Sequence, residues 1–351
     1  MATTFAVPDG RVAMAATTYT GTGATLAVSN AVNTVGMQPD LIWIKARNAI
    51  VDHALQSSVQ GISAGGSPLL SSNTTAAETT YAGFGVSAVS STGFTVIGNG
   101  SLTNLSTSTY VGWQWKAGGT AVSNTAGTIT SSVSANTTAG FSVVTWTSTG
   151  ASSLATMGHG LGVAPSLIIT KNRTAVSNWI TYHASLGADA YVFLNATNAA
   201  GSFSPYWSTS ATTWGQRQSG IASNGDACVA YCWAPVAGYS AFGSYTGNGS
   251  ADGPFIYTGF RPRFLMIKRT DTAGNNWVIL DTSRDTYNAA GLYLYPNLSA
   301  AEDDYRASTG PIDILSNGLK QRSTLSNVNA SGSTYIYAAF AENPLKYANA
   351  R

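Results

Sequence analysis

Three segments of the chain share one form and decide the fold: PDLIWIK at 39–45, PSLIITK at 165–171 and PRFLMIK at 262–268. In each segment a proline precedes a mostly apolar run, and a lysine follows the proline by six positions. Short runs rich in Ile, Leu and aromatic residues, bounded by turn residues, are typical of buried β-strands. The three segments therefore predict three equivalent inner strands.

Other landmarks recur around these segments in a constant order. An aromatic residue followed by a turn opens each repeat, and an apolar strand closes it; the openings are Tyr19, Trp146 and Tyr245, and the strands end at Trp115, Trp233 and Phe340. A period near 100 residues is too long for a solenoid coil or a propeller blade. We predict an all-β fold of three tandem β-sandwich-like repeats of about 100 residues, each forming its own small domain.

The landmarks also set the predicted boundaries. These are an N-terminal lead segment at 1–16, repeat 1 at 17–116, a linker or protruding hairpin at 117–139, repeat 2 at 140–238, repeat 3 at 239–345 and a C-terminal tail at 346–351. Repeats 1 and 3 share a further pattern, seen at Asn73 to Glu78 and at Asn297 to Glu302. We expect the shorter repeat 2 to have lost it.

Charge is scarce in this sequence and unevenly placed. The 351 residues include 17 Lys+Arg and 15 Asp+Glu, a net charge of +2, and 10 of these basic and 9 of these acidic residues lie between 239 and 351. Without a basic cluster, nucleic-acid binding is disfavoured. Hydrophobic residues make up 44% of the chain, which is enough for sizeable cores and argues against disorder. We also expect no export signal and no membrane insertion.

Several stretches resemble a largely uncharacterised family of virion proteins from tailed bacteriophages, particularly those of marine and cyanobacterial phages. They are GHGLGVAPSLIITKNR at 158–173, GSYTGNGSADGPFIYTGFRP at 243–262, NWVILDTSRDTYN at 276–288 and the ending YIYAAFAENPLKYANAR at 335–351. The resemblance covers nearly the whole chain, and its ending, AFAENPxKYANAR, is the most specific part. It implies a particle component, such as a tail-fibre or other structural protein, and supplies no catalytic residues.

From this resemblance we expect a non-enzymatic virion structural protein, made in the host cytoplasm and placed in a tail fibre or surface appendage. Its expected partners are other virion proteins of the tail or capsid, further copies of itself in a homo-oligomer, specifically a trimer, and a host-surface glycan. Two alternatives stay open. One is a capsid decoration or head-fibre protein, and the other, from a different class, is a polysaccharide depolymerase.

The repeated lysines, each close to an arginine, are the first candidate binding residues. The set is Lys45 with Arg47, Lys171 with Arg173, and Lys268 with Arg269. Such cations suit an acidic sugar or a carboxylate of a partner. The alternative, which we favour, is structural: the lysine stem packs against the sheet and its ammonium group reaches water.

A polar residue followed by an aromatic ring comes seven or eight positions after each lysine. The pairs are Asn178 with Trp179 and Asn276 with Trp277, and repeat 1 has Asp52 with His53. Glycan sites stack sugar C–H faces on such rings and bond sugar hydroxyls with amides. The alternative, which we also favour here, is that both tryptophans are buried.

We predict neither a catalytic site nor a metal nor a cofactor. The histidines His53, His159 and His183 do not occupy matching positions, and no catalytic motif is present. A depolymerase needs two carboxylates about 5–10 Å apart. One cluster is dense enough, formed by Asp281, Asp285, Glu302, Asp303 and Asp304. We interpret these acids as solvated loop residues, and their spacing does not match a calcium loop.

Overall fold

The computed structural model describes residues 5–219, 221–308 and 310–341. Its regular elements are almost all antiparallel β-strands, so the predicted all-β fold class is confirmed. Helix within the described residues is limited to two 3-10 turns, Gly10–Val12 and Ala184–Leu186, and one short α-helix, Ser326–Asn329.

The strands fall into three groups of nine and one hairpin. Unit 1 contains β1 (Met14–Thr20), β2 (Leu26–Ser29), β3 (Leu41–Ala46), β4 (Ala54–Ser57), β5 (Pro68–Leu69), β6 (Thr79–Thr80), β7 (Gly85–Ser90), β8 (Gly93–Ile97) and β9 (Thr109–Trp115). The hairpin consists of β10 (Val122–Asn124) and β11 (Ser131–Asn136).

Two further units follow the hairpin. Unit 2 contains β12 (Phe141–Thr149), β13 (Leu154–Gly158), β14 (Leu167–Asn172), β15 (Ile180–His183), β16 (Ala190–Phe193), β17 (Gly201–Ser202), β18 (Trp207–Thr209), β19 (Thr213–Arg217) and β20 (Asn224–Trp233). Unit 3 contains β21 (Ser240–Thr246), β22 (Phe255–Tyr257), β23 (Pro262–Arg269), β24 (Val278–Asp281), β25 (Leu292–Tyr293), β26 (Asp303–Asp304), β27 (Ile312–Leu315), β28 (Gly318–Gln321) and β29 (Thr334–Ala341).

The same strand order occurs in all three units. The first, ninth, third and fourth strands of each unit pair in that order to form a main sheet: β1-β9-β3-β4, β12-β20-β14-β15 and β21-β29-β23-β24. The second, eighth and seventh strands form a smaller outer sheet: β2-β8-β7, β13-β19-β18 and β22-β28-β27. Proline is tolerated at the start of a strand because it lacks an N–H donor. Accordingly, Pro39 and Pro165 lie two residues before β3 and β14, and Pro262 begins β23.

The strands change two of the predicted boundaries. Unit 1 begins at Met14, inside the predicted lead segment. Residues 117–139 do form a hairpin, but it does not protrude: β11 pairs with β12 along its length and extends the main sheet of unit 2. The tail at 346–351 lies outside the described residues.

The three main sheets meet in one central core, and units 1 and 2 each contain a further, separate core beneath their outer sheets. The inner strands of the main sheets are apolar on both faces, and one unit alone covers only the face beneath its outer sheet. The opposite faces meet at the centre, where Trp115, Trp233 and Phe340 lie 5.8, 5.8 and 6.4 Å apart between ring centroids. We call these three rings the central triad. Each lies at or next to the end of the ninth strand of its unit, so the three sheets meet at equivalent strand ends.

Candidate functional site

The three repeated lysines are buried between the units. Lys45, Lys171 and Lys268 are 0, 2 and 0% exposed. Their ammonium groups donate to backbone carbonyls: Lys45 to Ala46 and Ala49, Lys171 to Thr75 and Ser177, and Lys268 to Asn275 and Thr197. Burial lowers the pKa of each lysine to about 8. The stems pack as the favoured alternative expected, but both accounts of the ammonium groups are corrected, because groups buried to this extent lie away from a glycan and from bulk water.

Two of the three predicted arginines join different units by paired hydrogen bonds to a glutamate. Arg47 donates to Glu302 at 3.0 and 2.7 Å, and Arg173 donates to Glu78 at 2.8 and 2.7 Å. Bidentate pairs of this kind fix orientation as well as charge. Arg269 differs, because it pairs with Asp271 inside unit 3. The guanidinium groups of Arg47 and Arg173 therefore bind glutamates within the protein.

Backbone hydrogen bonds identify the true equivalent of these arginines in unit 3. The N–H of Glu302 donates to the carbonyl of Arg47 at 2.7 Å, and that of Glu78 donates to Arg173 at 2.8 Å. Between units 2 and 3, the equivalent bond is donated by the N–H of Ala200 to the carbonyl of Thr270, also at 2.8 Å. Thr270, one residue beyond Arg269, therefore occupies the arginine position, and Ala200 occupies the glutamate position.

The tryptophans of the predicted Asn-Trp pairs are buried and contact a neighbouring unit. Trp179 donates its indole N–H to the carbonyl of Ser71 in unit 1, at 2.9 Å. Trp277 donates to the carbonyl of Phe193 in unit 2, at 2.8 Å. Neither ring offers a face to a sugar, which corrects the glycan assignment of these pairs. The favoured alternative, burial, is what the structure shows.

The asparagine before each of these tryptophans bonds a second asparagine of the same unit. In unit 2 the sequence analysis missed this second asparagine. Asn178 accepts a hydrogen bond from Asn195, and Asn276 accepts one from Asn297. Asn195 precedes Ala200 by five residues, the spacing that separates Asn73 from Glu78. Unit 2 thus has the asparagine but not the acid, and this common spacing was a signal available in the sequence.

Three equivalent contact regions result, which we name junctions A, B and C. Junction A joins units 1 and 3 through Arg47 and Glu302, and junction B joins units 2 and 1 through Arg173 and Glu78. Junction C joins units 3 and 2 where Thr270 meets Ala200. Each unit contacts the next in the same sense, so the contacts close into a ring around the central triad.

Junction A contains a buried charge network. Arg284 donates to Asp281 at 2.6 Å and to Glu302 at 2.9 Å, and Asp281 also accepts from the indole of Trp113. The side chains of Asp281 and Arg284 are fully buried. Although burial opposes it, the guanidinium of Arg284 lowers the pKa of Asp281. Burial also opposes ionisation of Glu302, but its pairs with Arg47 and Arg284 lower its pKa.

The other acids of the predicted cluster are held by different partners. Asp285 accepts backbone N–H bonds from Gly291 and Leu292, and burial raises its pKa. Asp303 accepts from the hydroxyl of Tyr295, and the exposed Asp304 pairs with Arg306. The interpretation of all five as solvated loop acids is wrong for Asp281 and Asp285, because both are buried.

All three histidines are buried in the neutral form. The Nε2 of His53 bonds the carbonyl of Tyr295 across junction A, and the Nε2 of His183 bonds the carbonyl of Tyr337 across junction C. Burial lowers the pKa of His53 to about 3 and of His183 to about 4. His159 bonds the carbonyl of Ser210 inside unit 2, and burial lowers its pKa as well.

Within residues 5–219, 221–308 and 310–341, no three His, Cys, Asp or Glu side chains are grouped so as to hold a metal ion. Within the same ranges, none of the helices combines the length and the apolar character needed to cross a membrane. Cys228 and Cys232 are free and buried in β20.

Comparison with known proteins identifies a family without an assigned function. The model of a domain of unknown function, DUF7483, matches residues 12–344, and the chain belongs to that family. No curated protein and no solved structure matches the chain.

Proposed function

We propose that this member of the DUF7483 family is a non-enzymatic structural protein of a tailed-bacteriophage virion, a component of a tail fibre or similar surface appendage. The observation that carries the proposal is that the ionisable side chains in question form contacts inside the protein. Arg47, Arg173, Glu78 and Glu302 tie units together at junctions A and B, and three lysines are buried beside the junctions. Side chains fixed in this way serve assembly and rigidity.

The arrangement suits a protein that transmits force or displays a surface. Three sheets share one core, and the pair of Arg47 with Glu302 joins residues 255 positions apart. Pulling on one unit therefore loads the core and two junctions at once. A chain with only 9% charged residues also has few ions to desolvate when it packs against copies of itself. This supports a homo-oligomer, which we propose is a trimer.

We also propose that the three units are copies of one ancestral module. The strand order, the lysine six residues after each proline and the ring of equivalent junctions support this reading. Duplication explains why the central triad combines three residues from matching strand ends.

The placement is tested by mass spectrometry of purified virions, followed by imaging of particles in which this chain carries a label. We expect the chain in the particle, on the tail, at a few to a few dozen copies. Hundreds of copies on the shell would instead identify a capsid decoration or head-fibre protein. Absence from the virion would reject the proposal.

One observation favours testing the depolymerase alternative. Asp285 is buried and its pKa is raised by that burial, as in the general acids of glycosidases. Against this, its neighbour Asp281 is held by Arg284 and Trp113 and has no exposed surface. The protein is incubated with host capsule or lipopolysaccharide and new reducing ends are measured. We expect none; release that Asp285→Asn abolishes, in a variant that still folds, would establish an enzyme.

A further inference from the structure

The outer sheet of unit 3 presents two aromatic rings to solvent. Phe255 and Tyr257 on β22 are 47 and 67% exposed, whereas Ile256 between them is buried. Alternate residues of a strand point to the same face, about 7 Å apart. The two rings therefore stand side by side on the outer face of the sheet.

The fold does not require aromatic residues at these positions. The ladder partners show that Phe255 and Tyr257 are equivalent to Ala27 and Ser29 in unit 1, and to Thr156 and Gly158 in unit 2. Units 1 and 2 form the same outer sheet with these smaller residues. Exposed apolar surface that a fold does not need commonly marks a binding site.

A glycine lies beside Tyr257 in the outer sheet. This residue, Gly318, is the ladder neighbour of Tyr257, and the next residue across the sheet is the half-buried Leu315. A Cβ atom on Gly318 would lie 2.2 Å from the carbonyl oxygen of Ile256, so the close approach of the two strands requires glycine there. The ring of Phe255 also comes within 3.1 Å of that position, so it lies over Gly318.

Charged groups beside the rings are paired with one another. Lys320, the ladder partner of Phe255, lies 2.6 Å from Asp252. Arg322 lies 2.7 Å from Asp313, which is the neighbour of Lys320 on the next strand. The rim therefore supplies hydrogen-bond donors and acceptors while its charges balance.

We propose that this face binds a neutral saccharide chain, with Phe255 and Tyr257 stacking on sugar rings and Lys320 and Asp313 bonding hydroxyl groups. Aromatic faces suit the C–H side of a pyranose, and charged donors and acceptors form strong bonds to hydroxyls. The balanced charges give an acidic sugar no unpaired cation to meet. The inference rests on the proposed function, because it names the surface by which a virion appendage meets a host glycan. Several copies in one appendage would raise the avidity of a weak site.

The test uses the full chain on a microarray of bacterial O-antigens and capsular polysaccharides, and saturation-transfer NMR on the glycans that bind. The test variant, Phe255→Ala with Tyr257→Ser, carries the residues that unit 1 has at these positions. The control, Phe203→Ala, removes a ring in unit 2 that is also 47% exposed. We expect the wild type and the control to bind a neutral glycan, and the double variant to bind at least about tenfold more weakly.

Unchanged glycan binding by the double variant, or no binding of any neutral glycan by the wild type, overturns the proposal. So does a lower oligomer mass of the double variant in light scattering, because the face would then join copies of this chain. These results are independent of virion mass spectrometry. A virion protein without glycan binding refutes only the saccharide site, and glycan binding by a chain absent from virions refutes only the virion role.

Discussion

Junctions A and C occupy equivalent places in the fold but differ in chemistry. At junction A, the buried Arg284 joins Asp281 and Glu302. At junction C, the matching contact is between Thr270 and Ala200, and the neutral His183 bonds a backbone carbonyl. Junction B is intermediate, with one ion pair and the uncharged Ser57 and Gln60 at the places of Asp281 and Arg284.

What the junctions share is backbone geometry and apolar packing. The N–H to carbonyl bond between the two units is kept at 2.7 to 2.8 Å in all three, whatever side chains surround it. Buried ion pairs often add little net stability, because desolvation offsets their attraction. We infer that the shared core and the backbone bonds set the arrangement, and that the charges make junction A intolerant of single substitutions.

The largest expected effect follows from breaking the network at junction A. Arg284→Met leaves Asp281 fully buried without its cation, and the loss of one partner of a buried pair costs about 3–5 kcal/mol. Urea unfolding followed by circular dichroism measures the loss. Arg306→Met is the matched control, since Arg306 is 50% exposed and solvent screens its pair with Asp304, so a much smaller loss is expected.

The residues of junction B provide a second variant of junction A. Asp281→Ser with Arg284→Gln installs the counterparts of Ser57 and Gln60, and removes both buried charges together. We expect this double variant to be more stable than Arg284→Met, although Glu302 loses one partner. A double variant that is less stable than the single one would mean that the charge network itself, not the unpaired charge, controls junction A.

Acid should weaken the contacts of the buried histidines, His183 at junction C and His53 at junction A, before it weakens the ion pairs. Burial lowers the pKa of His183 to about 4, below its unfolded value of about 6.5. The unfolded chain therefore takes up a proton first, and stability present above pH 6.5 falls as the pH decreases toward 4. The carboxylates of junction A, whose pKa values are lowered, keep their contribution until the pH falls below about 4.

His183→Gln tests this difference while keeping a donor toward Tyr337. From pH 7 to 4.5 the wild type should lose about 2 kcal/mol more than this variant, at up to about 1.4 kcal/mol per pH unit. Urea unfolding at four or five pH values gives both slopes. Parallel curves for the two proteins would show that His183 is not buried in the neutral form.

The inner strands could be predicted from the sequence, and the junctions could not. The proline and the lysine six residues later bracket strands β3, β14 and β23 because both the strand start and the face alternation are local properties. The pairing of Arg47 with Glu302 spans 255 residues, and one sequence contains no record of such a contact. The exposure of individual aromatic rings could not be predicted for a related reason: whether Trp179 or Phe255 is exposed depends on which unit packs above it.

The lysines show a different limit of sequence reasoning. Lysine stems usually pack while their ammonium groups reach water, and this local rule fails for Lys45, Lys171 and Lys268. Neighbouring units supply carbonyls to two of them, from Thr75 and Thr197. In all three apolar runs the lysine lies six residues after the proline, which indicated that the three lysines share one type of environment. Whether that environment was water or backbone carbonyls depended on how the units pack against one another.

A smaller effect is expected when junction B is changed toward junction C. Glu78→Ala installs the residue found at Ala200 and leaves Arg173 with a guanidinium that is one-fifth exposed and able to hydrate. We expect a loss of about 1–2 kcal/mol. Thermal unfolding of Glu78→Ala and of Arg284→Met, measured in parallel, compares junctions B and A directly. A loss as large as that of Arg284→Met would remove the distinction that we draw between them.

The smallest effect tests whether junction C can accept what junction B has. Thr270→Arg with Ala200→Glu builds an ion pair on the backbone bond that is already present at 2.8 Å. The equivalent side chains at junction B, Arg173 and Glu78, are 20 and 15% exposed, so such a pair should add at most about 1 kcal/mol and salt should reduce the gain. A double-mutant cycle with each single variant, measured at low and high salt, isolates the coupling between the two side chains. Favourable coupling that salt weakens would show that the units present one common geometry at their junctions. Absence of coupling would mean that Thr270 and Ala200 do not align as Arg173 and Glu78 do, and the equivalence of the three junctions would fail at this point.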